Sequence, residues 1–238
     1  MDTFLNDKVA LVTGGSRGIG RAIAQSLHGA GASVAICGRS RDSVDRAVEQ
    51  MGGGERLAGA VADVRRDEDV EKLFSFVDER FGGLDILVNN AGVGIFKPVG
   101  ELTPEEFRAV LDTNLTGVFL CCKQAIPRFG NRGGGFIVNI SSLAGKNSFA
   151  SGAAYNASKF GLNGFSEAMM LDHRYDKIRV SYVMPGSVNT EFRYDDGKML
   201  QWKIAAEDVA GIVLTILRMP ERTLISRVEV RPAIPPRK

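Results

Sequence analysis

The chain lacks most of the features that would tie a protein to a metal, a membrane or a nucleic acid. Only three of its 238 residues are cysteine: Cys37, Cys121 and Cys122. Their number is odd and their spacing fits no metal-ligand pattern, so a disulfide framework or a zinc-held fold is excluded and a reducing compartment is expected. Charge is balanced, with 30 basic against 28 acidic residues, interspersed, for a net charge of +2. Nothing in that balance points to nucleic acid or to an anionic membrane surface. No stretch approaches the ~18 uninterrupted apolar residues of a transmembrane helix. Residues 1–7 lack the basic region and apolar core of a signal peptide. A cytoplasmic protein is the expectation. Internal repeats and long linkers are also absent. The chain therefore reads as one domain over 1–238, near the upper size for a single core. Its 44% hydrophobic content is ordinary for a globular protein.

What is present is alternation. Short apolar runs at 8–13, 33–37, 57–62, 86–88, 136–140, 179–183 and 227–230 read as strands. Between them, helix-length segments fall at 18–30, 41–51, 67–81, 103 to about 128, 153–171 and 207–217. Gly31 sits where a helix commonly stops. Thr103-Pro104-Glu105-Glu106 is a strong helix start: Thr103 is the N-cap, Pro104 the first helical residue, and Glu106 closes a capping box. Continuous apolar strands alternating with helices predict an α/β fold, a doubly wound parallel sheet with helices on both faces.

Two stretches carry chemistry. The first is Thr13-Gly14-Gly15-Ser16-Arg17-Gly18-Ile19-Gly20, between the first strand and the first helix. Glycines there let the backbone approach a pyrophosphate and offer amide hydrogens at a helix N-terminus. The turn departs from the usual Gly-x-Gly-x-x-Gly spacing, and it lacks the Gly-Lys-Ser/Thr ending of a P-loop. Many NAD-binding chains place an acidic residue at the end of the second strand. Here Gly38-Arg39-Ser40 stands there. An arginine suits the 2′-phosphate of NADP, with Arg17 as a second clamp.

The second stretch is Tyr155-Asn156-Ala157-Ser158-Lys159. Tyr155 and Lys159 are four apart and share one helix face. Ser142 precedes them by thirteen residues, at the end of an apolar run. Together they make a proton-handling group: a phenol to move the proton, an ammonium to lower its pKa, a hydroxyl to hold a carbonyl oxygen. A cation about 4 Å away at an effective dielectric of ~20 is worth roughly 4 kcal/mol, or about three pH units. A lowered Tyr155 pKa is therefore expected, from an ordinary value near ~10 towards the range useful for general acid–base catalysis. In isolation the same spacing is more often a packed tyrosine beside a solvated lysine.

The motifs occur in an order that resembles the compact, single-domain branch of the short-chain dehydrogenase/reductases, over nearly the whole chain. Besides the glycine turn they are Asp63-Val64, Asn89-Asn90-Ala91-Gly92, Asn114, Ser142, Tyr155 with Lys159, and Pro185-Gly186 with Thr190. The resemblance implies the following roles. Gly14, Ser16, Arg17, Gly18, Ile19 and Gly20 would cradle the cofactor, with Arg39 and Ser40 at its 2′-phosphate. Asp63 and Val64 would contact adenine, while Asn90, Ala91 and Gly92 would line the cleft. Lys159 would hold the nicotinamide ribose and tune Tyr155. Pro185, Gly186, Val188 and Thr190 would touch the carboxamide. Asn114 would hold a water relaying protons from Lys159. Asn89 would serve as a structural hydrogen-bonder.

The implied activity is reversible hydride transfer between NADP(H) and a small-molecule carbonyl or alcohol. A 3-oxoacyl-thioester reductase is the alternative within the enzyme class, and an NADP-binding redox sensor without turnover is the alternative outside it. An enoyl reductase is disfavoured by the tyrosine–lysine spacing, and a sugar-nucleotide epimerase by length. A short substrate lid is expected around 191–206, with Phe192, Tyr194, Met199 and Trp202 as covering residues. The chain does not end in the glycine-rich strand by which many relatives build a tetramer. A homodimer through the helices that begin at Thr103 and carry Tyr155 is expected instead, with Phe119, Leu120, Phe160 and Phe165 as its apolar surface, and a homotetramer as the alternative. The basic, proline-rich tail from Arg231 reads as a surface strap or frayed end.

Overall fold

The computed structural model describes residues 3–190 and 201–236. Seven strands form one parallel sheet: β1 (Val9–Thr13), β2 (Ser33–Gly38), β3 (Leu57–Val61), β4 (Ile86–Asn89), β5 (Gly135–Ile140), β6 (Ile178–Pro185) and β7 (Arg227–Val230). The spatial order is β3-β2-β1-β4-β5-β6-β7. Helices α1 (Gly18–Gly29), α2 (Arg41–Gln50), α3 (Asp67–Phe81), α4 (Pro104–Leu111), α5 (Gly117–Asn131), α6 (Ala153–Asp172) and α7 (Ala206–Arg218) cover both faces. Side chains alternate along each strand. Ala10 and Val12 of β1 face a core shared with α1, α2 and α7. Val9 and Leu11 face a second core shared with α3, α5 and α6. Burial on both faces is why the strands read as continuous apolar runs rather than as alternating ones.

One expected element divides. The apolar period from Thr103 onward reads as a single helix, but a π-helical turn at Asp112–Thr116 separates α4 from α5. The capping box at Thr103 and Glu106 forms as expected. The expected lid falls mostly on 191–200, outside the described residues. At its far end Ile204 is tied to the chain that precedes it. Ile204 N donates to Ser187 O at 3.0 Å, and Asn189 N donates to Ile204 O at 2.8 Å.

The strand order reverses between β1 and β4, where successive connections leave for opposite faces of the sheet. In such sheets the ligand crevice opens at the carboxyl ends of the strands flanking that point. Thr13, Asn89, Ile140 and Pro185 are the last residues of β1, β4, β5 and β6, so the sequence motifs that follow them meet at one edge.

Candidate active site

The glycine turn lies between β1 and α1. Gly14 and Gly18 have φ of +62° and +52°, conformations that favour glycine. A Cβ at Gly20 would run into the Asn90 amide and the Gly14 carbonyl. Asn90 clasps the turn from β4, donating from Nδ2 to Thr13 O (3.0 Å) and Gly14 O (3.1 Å). Thr13 Oγ1 accepts from the backbone of Asn90 and Ala91, at 3.0 Å each. The N-cap of α1 is Arg17, no side chain caps the helix start, and its first turn holds no acidic residue. Orphan amides at the head of a helix, reached over side-chain-free backbone, fit a pyrophosphate.

The end of β2 adjoins this turn. A Cβ at Gly38 would sit 3.2 Å from Ser16 Oγ. Arg39 is exposed, and among the described residues it forms no hydrogen bond or ion pair. Ser40 instead caps α2, accepting from Ser43 N at 3.5 Å. Asp63 and Val64 follow β3. The Asp63 carboxylate accepts from Arg65 Nε at 2.9 Å and from Nη2 at 2.5 Å. Those bonds hold its pKa below the usual carboxylate value, and Arg39 adds to the effect. Val64 is buried against Gly117 of α5.

Ser142, Tyr155 and Lys159 converge beyond the end of β5. Ser142 caps a short 3-10 turn over Leu143–Gly145, accepting from Ala144 N at 3.1 Å. Its hydroxyl also lies near enough to the Tyr155 phenol to act on its pKa. Tyr155 is half-buried and Lys159 fully buried, one turn further along α6. Lys159 Nζ donates to Ile140 O at 2.9 Å and lies 5.8 Å from the Tyr155 ring centre. An ammonium has three donors. One of them meets Ile140, and no other hydrogen bond to Nζ is formed among the described residues, which fits a ligand bearing hydroxyls.

The expected lowering of the Tyr155 pKa is not found. Burial pushes the phenol above its ordinary value, and the hydrogen bond with Ser142 only partly opposes this. The reason is desolvation, which the spacing of the pair does not reveal: the phenol's own burial keeps it protonated, and burial lowers Lys159 as well, to about 8.

Asn114 sits in the π turn with no exposed surface. Its Oδ1 accepts from Val93 N (2.8 Å), and its Nδ2 donates to Val93 O (2.9 Å) and Ser158 Oγ (3.0 Å). Both amide donors are committed, so the side chain ties the Gly92–Val93 segment to α6. Asn89 is also structural. Its Nδ2 donates to Asn139 Oδ1 at 2.8 Å, and Asn139 donates to Ser166 Oγ at 2.8 Å, which stitches β4 and β5 to α6. Gly186 N donates to Val230 O at 2.8 Å, which fixes the turn after β6. Val188 pairs with Ile204, and Thr190 approaches Gly18, whose Cβ would lie 3.3 Å from its methyl carbon. The glycine turn, the Pro185–Thr190 segment and the Tyr155 group thus bound one cleft.

The family model described as short chain dehydrogenase matches residues 8–201. The chain belongs to the short-chain dehydrogenase family. It is an oxidoreductase of that NAD(P)-dependent type. A 3alpha-hydroxysteroid dehydrogenase of Mediterraneibacter gnavus is 37% identical over 194 residues, covering 80% of this chain and 78% of that protein. A metagenomic short-chain oxidoreductase solved in complex with NADP is 35% identical, with a TM-score of 0.84, over 97% of this chain and 99% of the other. A variant of the actinorhodin polyketide ketoreductase solved with NADPH is 32% identical, with a TM-score of 0.86, over 94% and 96%.

Several residues of this short-chain dehydrogenase site were not singled out from the sequence. Asn156 donates to Ala144 O at 2.6 Å and Asn163 to Gly145 O at 3.0 Å, pinning the loop that follows Ser142. Asn156 lies inside the Tyr-x-x-x-Lys motif, so its position was visible although its role was not. Phe96 stands beside Tyr155, and Phe149 beside Phe96. They lie in loops with no periodicity, and no sequence signal marks them.

Proposed function

We propose that this short-chain dehydrogenase is an NADP(H)-dependent carbonyl reductase, reversible towards alcohol oxidation. The observation that carries the reading is Ser142 acting on the half-buried, protonated Tyr155 phenol, with Lys159 one turn away. Ser142 holds and polarises the substrate carbonyl oxygen. Tyr155 gives that oxygen its proton. The phenol is protonated in the resting site and so holds the proton that reduction consumes. Lys159 keeps the ribose hydroxyls in place and moves a proton towards Tyr155 at its own pKa of about 8. When bound, NADPH supplies hydride to the carbonyl carbon. Gly14, Gly18 and Gly20 with the α1 amides would hold its pyrophosphate, and Arg39 with Arg17 its 2′-phosphate.

The absence of an acidic residue at the end of β2 supports NADP over NAD, as do the NADP and NADPH complexes of the similar proteins. The hydroxysteroid and polyketide activities of the relatives support a ketone or secondary alcohol as substrate. Phe119 and Phe160, both 47% exposed on α5 and α6, support a homodimer through those helices. No helix among the described residues is long and apolar enough to cross a membrane.

NADPH oxidation over a panel of ketones, diketones, aldehydes and 3-oxoacyl thioesters tests the reading, with NADH for comparison. Turnover of simple ketones with NADPH preferred supports it. Turnover confined to thioesters would replace it with the acyl-thioester reductase, and tight NADPH binding without turnover would replace it with a sensor.

A further inference from the structure

We propose that Phe96 and Phe149 form an aromatic wall beside Tyr155 that selects ketones carrying a rigid, ring-shaped apolar group next to the carbonyl. The inference rests on the carbonyl-reductase reading and adds the substrate class. Phe96 follows β4 and Phe149 follows Ser142, so the wall joins two loops at the carboxyl edge of the sheet. The Phe96 and Phe149 ring centres are 5.9 Å apart, and Phe96 meets the Tyr155 ring edge-on at 5.5 Å.

Phe149 is fixed yet uncovered. Its N–H donates to Asn156 Oδ1 at 3.4 Å, and its carbonyl accepts from Gly152 N at 3.2 Å. Its ring lies so near Gly152 that a Cβ there would sit 2.7 Å from two ring carbons. Even so, 43% of the residue faces solvent. A held aromatic face left in water, one ring removed from a proton donor, gains nothing for folding, but it presents apolar area to a ligand at little entropic cost.

The charges that flank the wall are already paired. Lys97, next to Phe96, pairs with Glu106, and Lys146, three residues before Phe149, pairs with Glu229 at 2.5 Å. Neither of these two lysines is left free for a phosphate-bearing acyl carrier. Apolar side chains also gather at the turn after β6, where Leu143 and Pro232 both come within 3.1 Å of the position a Gly186 Cβ would take. An aromatic face beside the carbonyl clamp matches a stiff ring. A flexible acyl chain would lose rotamer freedom there, and a sugar would leave hydroxyls without partners.

The test is steady-state kinetics with NADPH on 2-tetralone and on 2-butanone, for wild type, Phe149→Ala and Phe149→Leu. Phe149 is the position to change, because Phe96 also touches Tyr155. The Ala variant should lose roughly 10- to 100-fold in kcat/KM for 2-tetralone, mostly through KM. Loss on 2-butanone should stay below about 3-fold, and Leu should recover part of the difference. Equal loss on both ketones, or none on either, would overturn the wall while wild-type turnover left the reductase reading intact.

Proton NMR supplies a readout without turnover. 2-Tetralone bound to the Tyr155→Phe variant with NADPH should show upfield ring-current shifts that disappear when Phe149→Ala is added. If wild type reduces no ketone but these shifts persist and depend on Phe149, the reductase reading falls and the aromatic recognition is supported. If the shifts do not depend on Phe149, the wall falls.

Discussion

Lys159 should cost the protein stability, and replacing it with methionine should give some back. The lysine is 5% exposed. Burial lowers its pKa from 10.5 to about 8. At neutral pH the folded protein therefore holds a charge that it solvates poorly, a penalty of about 3 kcal/mol. Methionine keeps the apolar stem and removes the charge. It also removes the hydrogen bond to Ile140 O, worth about 1 kcal/mol. Lys159→Met should thus stabilise the cofactor-free protein at pH 7 by about 2 kcal/mol, raising Tm by roughly 4–8 °C.

The sign of the pH dependence follows from the lowered value. Between about 8 and 10.5 the unfolded chain binds the proton that the folded chain has released, so wild type gains stability as pH rises through that window. The advantage of the variant should shrink over the same window and be lost near pH 10.5. Urea unfolding of wild type and variant at pH 7, 8.5 and 10 measures the difference, in which other titrating groups largely cancel. A variant less stable than wild type at pH 7, or a gap that stays constant to pH 10, would refute the reasoning.

Two further outcomes are expected. Arg39→Ala should raise the Kd for NADPH about 10- to 100-fold, the loss of a charge-assisted contact, and leave NADH unchanged, as read by cofactor titration. Asp85 is buried and accepts from Val9 N (2.9 Å), Arg132 Nη2 (2.8 Å) and Lys8 Nζ (3.2 Å). Its burial works to raise its pKa, but these bonds outweigh it and hold the value below 3.8. Asp85→Asn should therefore cost roughly 1–3 kcal/mol at pH 7, discounted for the partly exposed cations. Because the folded pKa is lowered, that cost should disappear as pH falls below the ordinary carboxylate range, which urea unfolding at pH 7 and pH 3 would show.

What the residues alone disclosed depended on range. Tyr155 and Lys159 are one helical turn apart, and the glycine turn is eight consecutive residues, so local spacing identifies both. The strands were legible because burial on both faces leaves continuous apolar runs. The π turn at Asp112–Thr116 was not, since one extra residue in a turn alters neither composition nor the apolar face appreciably. The Tyr155 pKa was misjudged because pair spacing reveals a neighbouring charge but not how dry the site is. Desolvation depends on everything packed around both groups, including Ile140 of a distant strand. Phe96 and Phe149 were invisible for a related reason: they meet only when two aperiodic loops close over one sheet edge.

The central claim is that Tyr155 is the proton donor of an NADPH-dependent reductase. The most direct measurement is the turnover number of Tyr155→Phe on a ketone that wild type reduces, alongside the Kd for NADPH of both proteins. Turnover should fall by roughly 10²–10⁴-fold or more while the Kd changes by less than about 3-fold. A variant that reduces the ketone at near wild-type rate would contradict the account.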